Sequence, residues 1–193
     1  MTIINPKVAL EKGWISGVKD PAKQVQPNAI DFTLDRAFEV QDFTPFTITE
    51  SQKTMKGSTE RTPWDFKDGL VGWRIEDGKM LDGLSSVYCD LPEGVCAQLV
   101  IRSSLARNGL LLTSGLYDSG FKGHIGFVIH NLSSLYCILG EGVRVGQIFL
   151  FQADSAGLYA GGYNHGQGTA LNYQKREPTE FETFVDELKG RQL

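Results

Sequence analysis

Between Gly69 and Gln152 the chain is a succession of short runs rich in Val, Ile, Leu and Phe. Breaks such as Glu76-Asp77-Gly78, Leu81-Asp82-Gly83 and Asp118-Ser119-Gly120 separate many of them. β-Branched and aromatic residues at this density, interrupted by turn residues at short intervals, predict antiparallel strands in a sandwich or barrel, not βαβ units. Within residues 124–130, Ile125, Phe127 and Ile129 fall on one face of a strand; His124, Gly126, Val128 and His130 fall on the other. Ala29 to Leu34 reads as a further alternating strand, and residues 50 to 68 as a long polar connection. Asn5-Pro6 followed by Val8, Ala9, Leu10 and Gly13 predicts a short helix, with Asn as its cap, Pro in its first turn and Gly at its exit. Beyond the strands lie a glycine-rich arm at about 157–170 and a helix at about 179–189. That helix opens on the Thr179 capping box and carries Phe181, Phe184, Val185 and Leu188 as its apolar stripe.

Length and charge narrow the function classes. At 193 residues the chain fits a single domain spanning 1–193. A net charge of −4 argues against a broad basic footprint, hence against nucleic acid as partner, though a local cluster of donors for a small anion is compatible with it. No stretch approaches the roughly 20 apolar residues of a membrane span. Cys89, Cys96 and Cys137 are odd in number and lack metal-ligand spacing, and no leader is visible at the amino terminus. The expectation is a reduced, cytoplasmic protein that does not engage membranes.

Three segments carry chemistry. In Arg102-Ser103-Ser104-Leu105-Ala106-Arg107 two guanidiniums flank two hydroxyls, which suits either an exposed helix start or an anion site. Gly115-Leu116-Tyr117-Asp118-Ser119-Gly120-Phe121-Lys122-Gly123 reads as a β-hairpin. There Asp118 either starts the turn or presents a carboxylate that activates a water, with Phe121 covering a sugar. Gln147 interrupts an apolar strand, so its amide requires a structural hydrogen bond or a ligand. His124 and His130 share a strand face without a carboxylate, a poor arrangement for a metal.

Taken in order, these segments resemble the dUTPase and dCTP deaminase superfamily over about residues 5 to 170. Asp31 in Ala29-Ile30-Asp31-Phe32 resembles its first motif, and Arg102 to Arg107 its second. Gly115 to Gly123 followed by Asn131 resembles the third, and Gly142-Val143-Arg144-Val145-Gly146-Gln147 the fourth. The resemblance implies an all-β fold, a distorted β-barrel or jelly roll with short helices at both ends. It also implies a homotrimer with sites between subunits and a deoxynucleoside triphosphate substrate. Mg²⁺ would be carried on the phosphates, with no protein ligands. Asp118 would be the general base; Arg102, Ser103, Ser104, Arg107 and Gln147 would hold the phosphates, supported by Asp31. Gly115 and Tyr117 would lie beside the nucleoside and Phe121 against its C2′, while Tyr163 would stack as a lid and Gln167 would belong to the same arm. The arm carries Gly162 where the deaminases have a basic residue, and lacks the arginine of the dUTPase arm.

Within this resemblance the deaminases carry a proton-shuttling glutamate three residues before the asparagine. Here that place is Val128, which cannot move a proton. The expectation is therefore hydrolysis of dUTP to dUMP and pyrophosphate. The alternatives are a pyrophosphatase for dCTP or a modified deoxypyrimidine triphosphate, a dCTP deaminase by an unusual route, and a non-catalytic nucleotide-binding trimer.

Overall fold

The computed structural model describes residues 2–40, 58–154 and 157–161. In chain order its elements are α1 (Pro6–Glu11), β1 (Ile15–Ser16), α2 (Pro21–Gln24), β2 (Ile30–Thr33), β3 (Arg36–Val40), β4 (Ser58–Arg61) and β5 (Trp64–Asp65). After a 3-10 turn at Lys67–Gly69 come β6 (Val71–Ile75), β7 (Met80–Asp90), β8 (Val95–Ile101), α3 (Ser103–Ala106) and β9 (Leu110–Thr113). The series ends with β10 (Lys122–Asn131), β11 (Cys137–Gly140) and β12 (Arg144–Gln152).

Every described strand pairing is antiparallel. One sheet runs β4-β3-β7-β10-β9, with β1 also on β7; a second runs β11-β6-β5 and a third β2-β12-β8. The result is the antiparallel β architecture expected from the spacing of the apolar runs, with the distortion that the resemblance implies. β10 alternates as its sequence dictates: Ile125, Phe127 and Ile129 are buried while His124, Gly126, Val128 and His130 are only partly covered. Phe127 meets Phe32 of β2 with ring centroids 5.0 Å apart, which ties the first and third sheets across the core.

Local chemistry fixes the ends of the elements. Asn5 Oδ1 accepts the Lys7 amide at 3.0 Å to cap α1, and Gly13 leaves the helix with φ +71°. Asn131 is wholly buried at the end of β10. Its Nδ2 donates to the carbonyls of Ile75, Glu76 and Leu135, while its Oδ1 accepts from the amide and hydroxyl of Ser133. Its place in the third motif is thus explained by turn architecture.

Three sequence expectations change. β2 does not alternate: all four of its residues are buried, because Asp31 and Thr33 find polar partners on the covered face. The stretch at 50 to 68 is not simply a connection, because β4 pairs with β3 and β5 with β6. There the bidentate Arg36–Glu60 pair, both contacts 2.7 Å, holds the β4 edge. Leu81-Asp82-Gly83 is no break either. It lies inside the eleven-residue β7, with Asp82 in register between Phe38 and Val128. Gly83 permits this, since a Cβ there would stand 2.6 Å from the Phe127 ring.

Candidate functional site

The segment from Ser114 to Phe121 turns between β9 and β10 and is sewn to the chain ahead of it. Tyr117 exchanges both backbone hydrogen bonds with Ala97 at 2.9 Å, and the Gly120 amide and Phe121 carbonyl pair with Leu91. The turn itself closes from the Phe121 amide to the Asp118 carbonyl at 3.0 Å, with Gly120 at φ +84°. Buried Ser119 donates to the Val95 carbonyl at 3.1 Å. This lacing fixes the backbone of Asp118 while its side chain stays exposed. The segment is a braced loop rather than the β-hairpin expected, although its turn falls at Asp118-Ser119-Gly120 as the sequence predicts.

Behind the turn lies a cavity of about 450 Å³, within the size range of small-molecule sites. Tyr117, Phe121 and Tyr159 form one wall as an edge-to-face trio, with centroids 4.9 and 5.9 Å apart in sequence. Thr113, Ser114 and Gly115 form another side, and Asp82, Gly126 and Val128 the floor. Phe121 and Tyr117 are where the sequence placed them. A Cβ on Gly115 would meet nothing within 4 Å, so the fold does not itself require glycine there. Gly126 is different. The Tyr117 hydroxyl donates to its carbonyl at 2.6 Å and accepts its amide at 3.0 Å, filling the bulge between His124 and Gly126. Both polar backbone groups of Gly126 are therefore committed.

Asp82 is the floor residue that the sequence does not single out, because Leu81-Asp82-Gly83 has the composition of a break. It is 9% exposed, and burial pushes its carboxyl up from 3.8 to about 6, opposed by the Gly83 amide. The native state thus holds the proton more tightly than the unfolded chain, so stability falls as pH rises from about 4 to about 6 and stays lower above. Asp82→Asn is expected to stabilise the protein by at most about 3 kcal/mol at pH 8, with the gain vanishing near pH 4. Urea denaturation at both pH values checks this; an equal effect at the two would contradict it.

A second cluster forms where β2, β8 and β12 meet. Gln147 stands in register with Asp31 on one side and Val100 on the other. Its Nε2 donates to Asp31 Oδ1 at 2.8 Å, so the amide has the structural partner that one of the two sequence readings required. Asp31, 1% exposed, also accepts from Arg144 Nη1 at 2.8 Å and lies 3.8 Å from Arg102 Nη1. Both arginine side chains remain 32% exposed. One buried carboxylate therefore orients two guanidiniums that keep further donors free. Arg144 had no assigned role in the sequence reading, although its place three residues before Gln147 on an apolar strand was a usable signal. Ser103, Ser104 and Arg107 lie exposed on or beside α3, a single turn whose start has no side-chain cap.

The two clusters are far apart within one chain. Asp118 lies electrostatically beside Cys96, whose thiol is raised by burial and then by that carboxylate. Arg102 follows the other end of β8. Six residues of strand separate Cys96 from Arg102, or about 20 Å at roughly 3.3 Å per residue.

His124 Nδ1 sits 3.2 Å from the Ser85 carbonyl, and His130 Nε2 3.4 Å from the Thr113 hydroxyl. Tyr163, Gln167, most of the glycine-rich arm and the helix at about 179–189 lie outside the described residues. No helix among the described residues is long and apolar enough to cross a membrane.

The comparisons agree with this arrangement of strands. The family model for dCTP deaminase-like proteins matches residues 7–153, and the chain belongs to that family, within the dUTPase and dCTP deaminase superfamily. Among relatives, the "dCTP deaminase, dUMP-forming" of Bifidobacterium adolescentis is 31% identical over 171 residues, covering 87% of this chain and 86% of that one. The protein of the same description from Nocardia farcinica is 30% identical over 168 residues, covering 84% and 80%. In structure, the 2'-deoxycytidine 5'-triphosphate deaminase of Agrobacterium tumefaciens overlays with a TM-score of 0.57 at 14% identity. That match covers 77% of this chain and 47% of the other, and speaks to the fold alone.

Proposed function

We propose that the protein is a cytoplasmic enzyme that hydrolyses a deoxypyrimidine nucleoside triphosphate to the monophosphate and pyrophosphate. The observation that carries this reading is the exposed Asp118 carboxylate on a braced turn whose neighbours, Leu116, Tyr117 and Phe121, wall a nucleoside-sized cavity. In that arrangement Asp118 takes a proton from a water aimed at the α-phosphorus, and the aromatic trio holds the nucleoside. Arg102 and Arg144, oriented by Asp31, supply donors for phosphate oxygens together with the hydroxyls of Ser103 and Ser104 and the guanidinium of Arg107. This cradle presents cations and hydroxyls, with its one buried carboxylate already engaged, so it suits phosphate oxygens rather than a bare cation. Mg²⁺ enters with the substrate, riding on the triphosphate.

About 20 Å of strand between Cys96, which lies beside Asp118, and Arg102 is too long for Asp118 and Arg102 of one chain to serve one triphosphate. The reading therefore includes a homo-oligomer, a trimer by resemblance, in which one protomer supplies Asp118 and the aromatic cavity and another supplies the arginine cluster. Val128 on the cavity floor provides no proton-transfer group, which favours phosphate chemistry over deamination by the usual route. Uracil remains the base expected from the sequence. The test is a panel of deoxynucleoside triphosphates with Mg²⁺ and identification of every product. The expected products are pyrophosphate and a deoxynucleoside monophosphate; absence of pyrophosphate with every substrate sinks the assignment.

A further inference from the structure

The floor of the cavity holds a carboxyl group that the hydrolysis itself does not use. In one register row across the first sheet stand Phe38 on β3, Asp82 on β7, Val128 on β10 and Thr113 on β9. Phe38 is fully buried and Val128 offers only methyl groups, so Asp82 faces the cavity from between two apolar side chains. The Gly126 backbone, which could otherwise read a base on this floor, is already taken by the Tyr117 hydroxyl. Thr113 and Ser114 are the other side chains with hydrogen-bonding capacity along that side of the cavity.

We propose that Asp82 selects the base, accepting a hydrogen bond from an exocyclic amine and so favouring cytosine over uracil. This rests on the reading of the cavity as the nucleotide site and replaces the uracil expected from the sequence with cytosine. The chemistry is that of an acceptor. An ionised carboxylate offers lone pairs and no proton, and an Asp or Glu carboxylate is a natural partner for the cytosine N4 amine. That amine stands at the outer edge of the ring beside the C5–H, where a carboxylate can approach without meeting a carbonyl. Uracil has an oxygen at the same place, and its ring N3–H lies between two carbonyl oxygens that the carboxylate would repel. A buried carboxylate with lone pairs beyond the one that the Gly83 amide engages penalises a ligand that lacks a donor far more than an apolar pocket would. Thr113 and Ser114 have hydroxyls that can donate to N3 or O2 of either base, so they add affinity with little discrimination. Burial holds the Asp82 carboxyl near 6, low enough for the acceptor form to dominate above neutral pH.

The experiment is calorimetric binding of dCTP and of dUTP to the full-length protein at pH 8, with EDTA present so that no turnover occurs. The wild type is expected to bind dCTP at least about 10-fold more tightly than dUTP. In Asp82→Asn, which supplies an amide donor as well as an acceptor, the preference is expected to fall to about one or to invert. Asp82→Leu is expected to lose it by weakening dCTP. Equal affinities in the wild type, tighter dUTP binding, binding of neither nucleotide, or a preference that survives both substitutions would overturn the proposal. Failure of the hydrolase reading looks different: a dCTP preference that depends on Asp82 without release of pyrophosphate leaves this inference standing and removes only the hydrolysis.

Discussion

Replacing Asp118 by asparagine is expected to lower kcat by about 10²–10⁴-fold while leaving nucleotide affinity within a few-fold. The amide keeps the size of the side chain and cannot take a proton from water, so the change falls on the chemical step, equivalent to about 3–5 kcal/mol of barrier. The fold should not feel it. Asp118 is exposed, and its turn is held by backbone bonds to Leu91 and Ala97 and by Ser119; stability is expected to stay within about 0.5 kcal/mol. Steady-state kinetics beside equilibrium binding on the same preparation separate the two effects. If Asp118→Asn turns over like the wild type, the base is another group and the mechanism falls.

Asp31→Ala is expected to act on the fold as well as on phosphate binding, with a loss of about 3–5 kcal/mol of stability. Asp31 is almost completely buried and accepts from Gln147 and Arg144 at 2.8 Å each, with Arg102 at 3.8 Å. Removing it strands an amide and two guanidiniums at the junction of β2, β8 and β12. Because both arginine side chains are a third exposed and can recover water, the lower end of that range is expected. Asp31→Asn should lose less, since an amide oxygen still accepts from Gln147. Urea denaturation at one fixed protomer concentration gives the comparison, as an oligomer's stability depends on concentration. A loss below about 1 kcal/mol for Asp31→Ala would mean that the cluster is not what holds the three strands' junction.

These two aspartates also mark how far the sequence could be read. The turn at Asp118 was legible from Asp118-Ser119-Gly120, but its bracing was not, because it comes from Leu91, Val95 and Ala97 earlier in the chain. Asp31 was legible as a motif member, but its work was not: its partners Arg144 and Gln147 are more than one hundred residues away, joined to it only by strand pairing. Asp82 was misread. An Asp-Gly pair between apolar runs is an ordinary turn signal, and only pairing on both sides, to Phe38 and to Val128, makes it the middle of a strand.

By itself the sequence determined what depends on near neighbours: the antiparallel β class from short apolar runs, the inward face of β10 from alternation, the cap of α1, and the family from ordered motifs. Tertiary structure alone decided which distant groups meet. It buried Asp82 on a cavity floor, spent the polar backbone of Gly126 on the Tyr117 hydroxyl, and set the Asp118 turn at the opposite end of β8 from the arginine cluster. The physical reason is that side-chain alternation and capping act over a few residues and are written in local order. Burial, register and the pKa of a buried carboxyl are set by strands that approach from elsewhere in the chain.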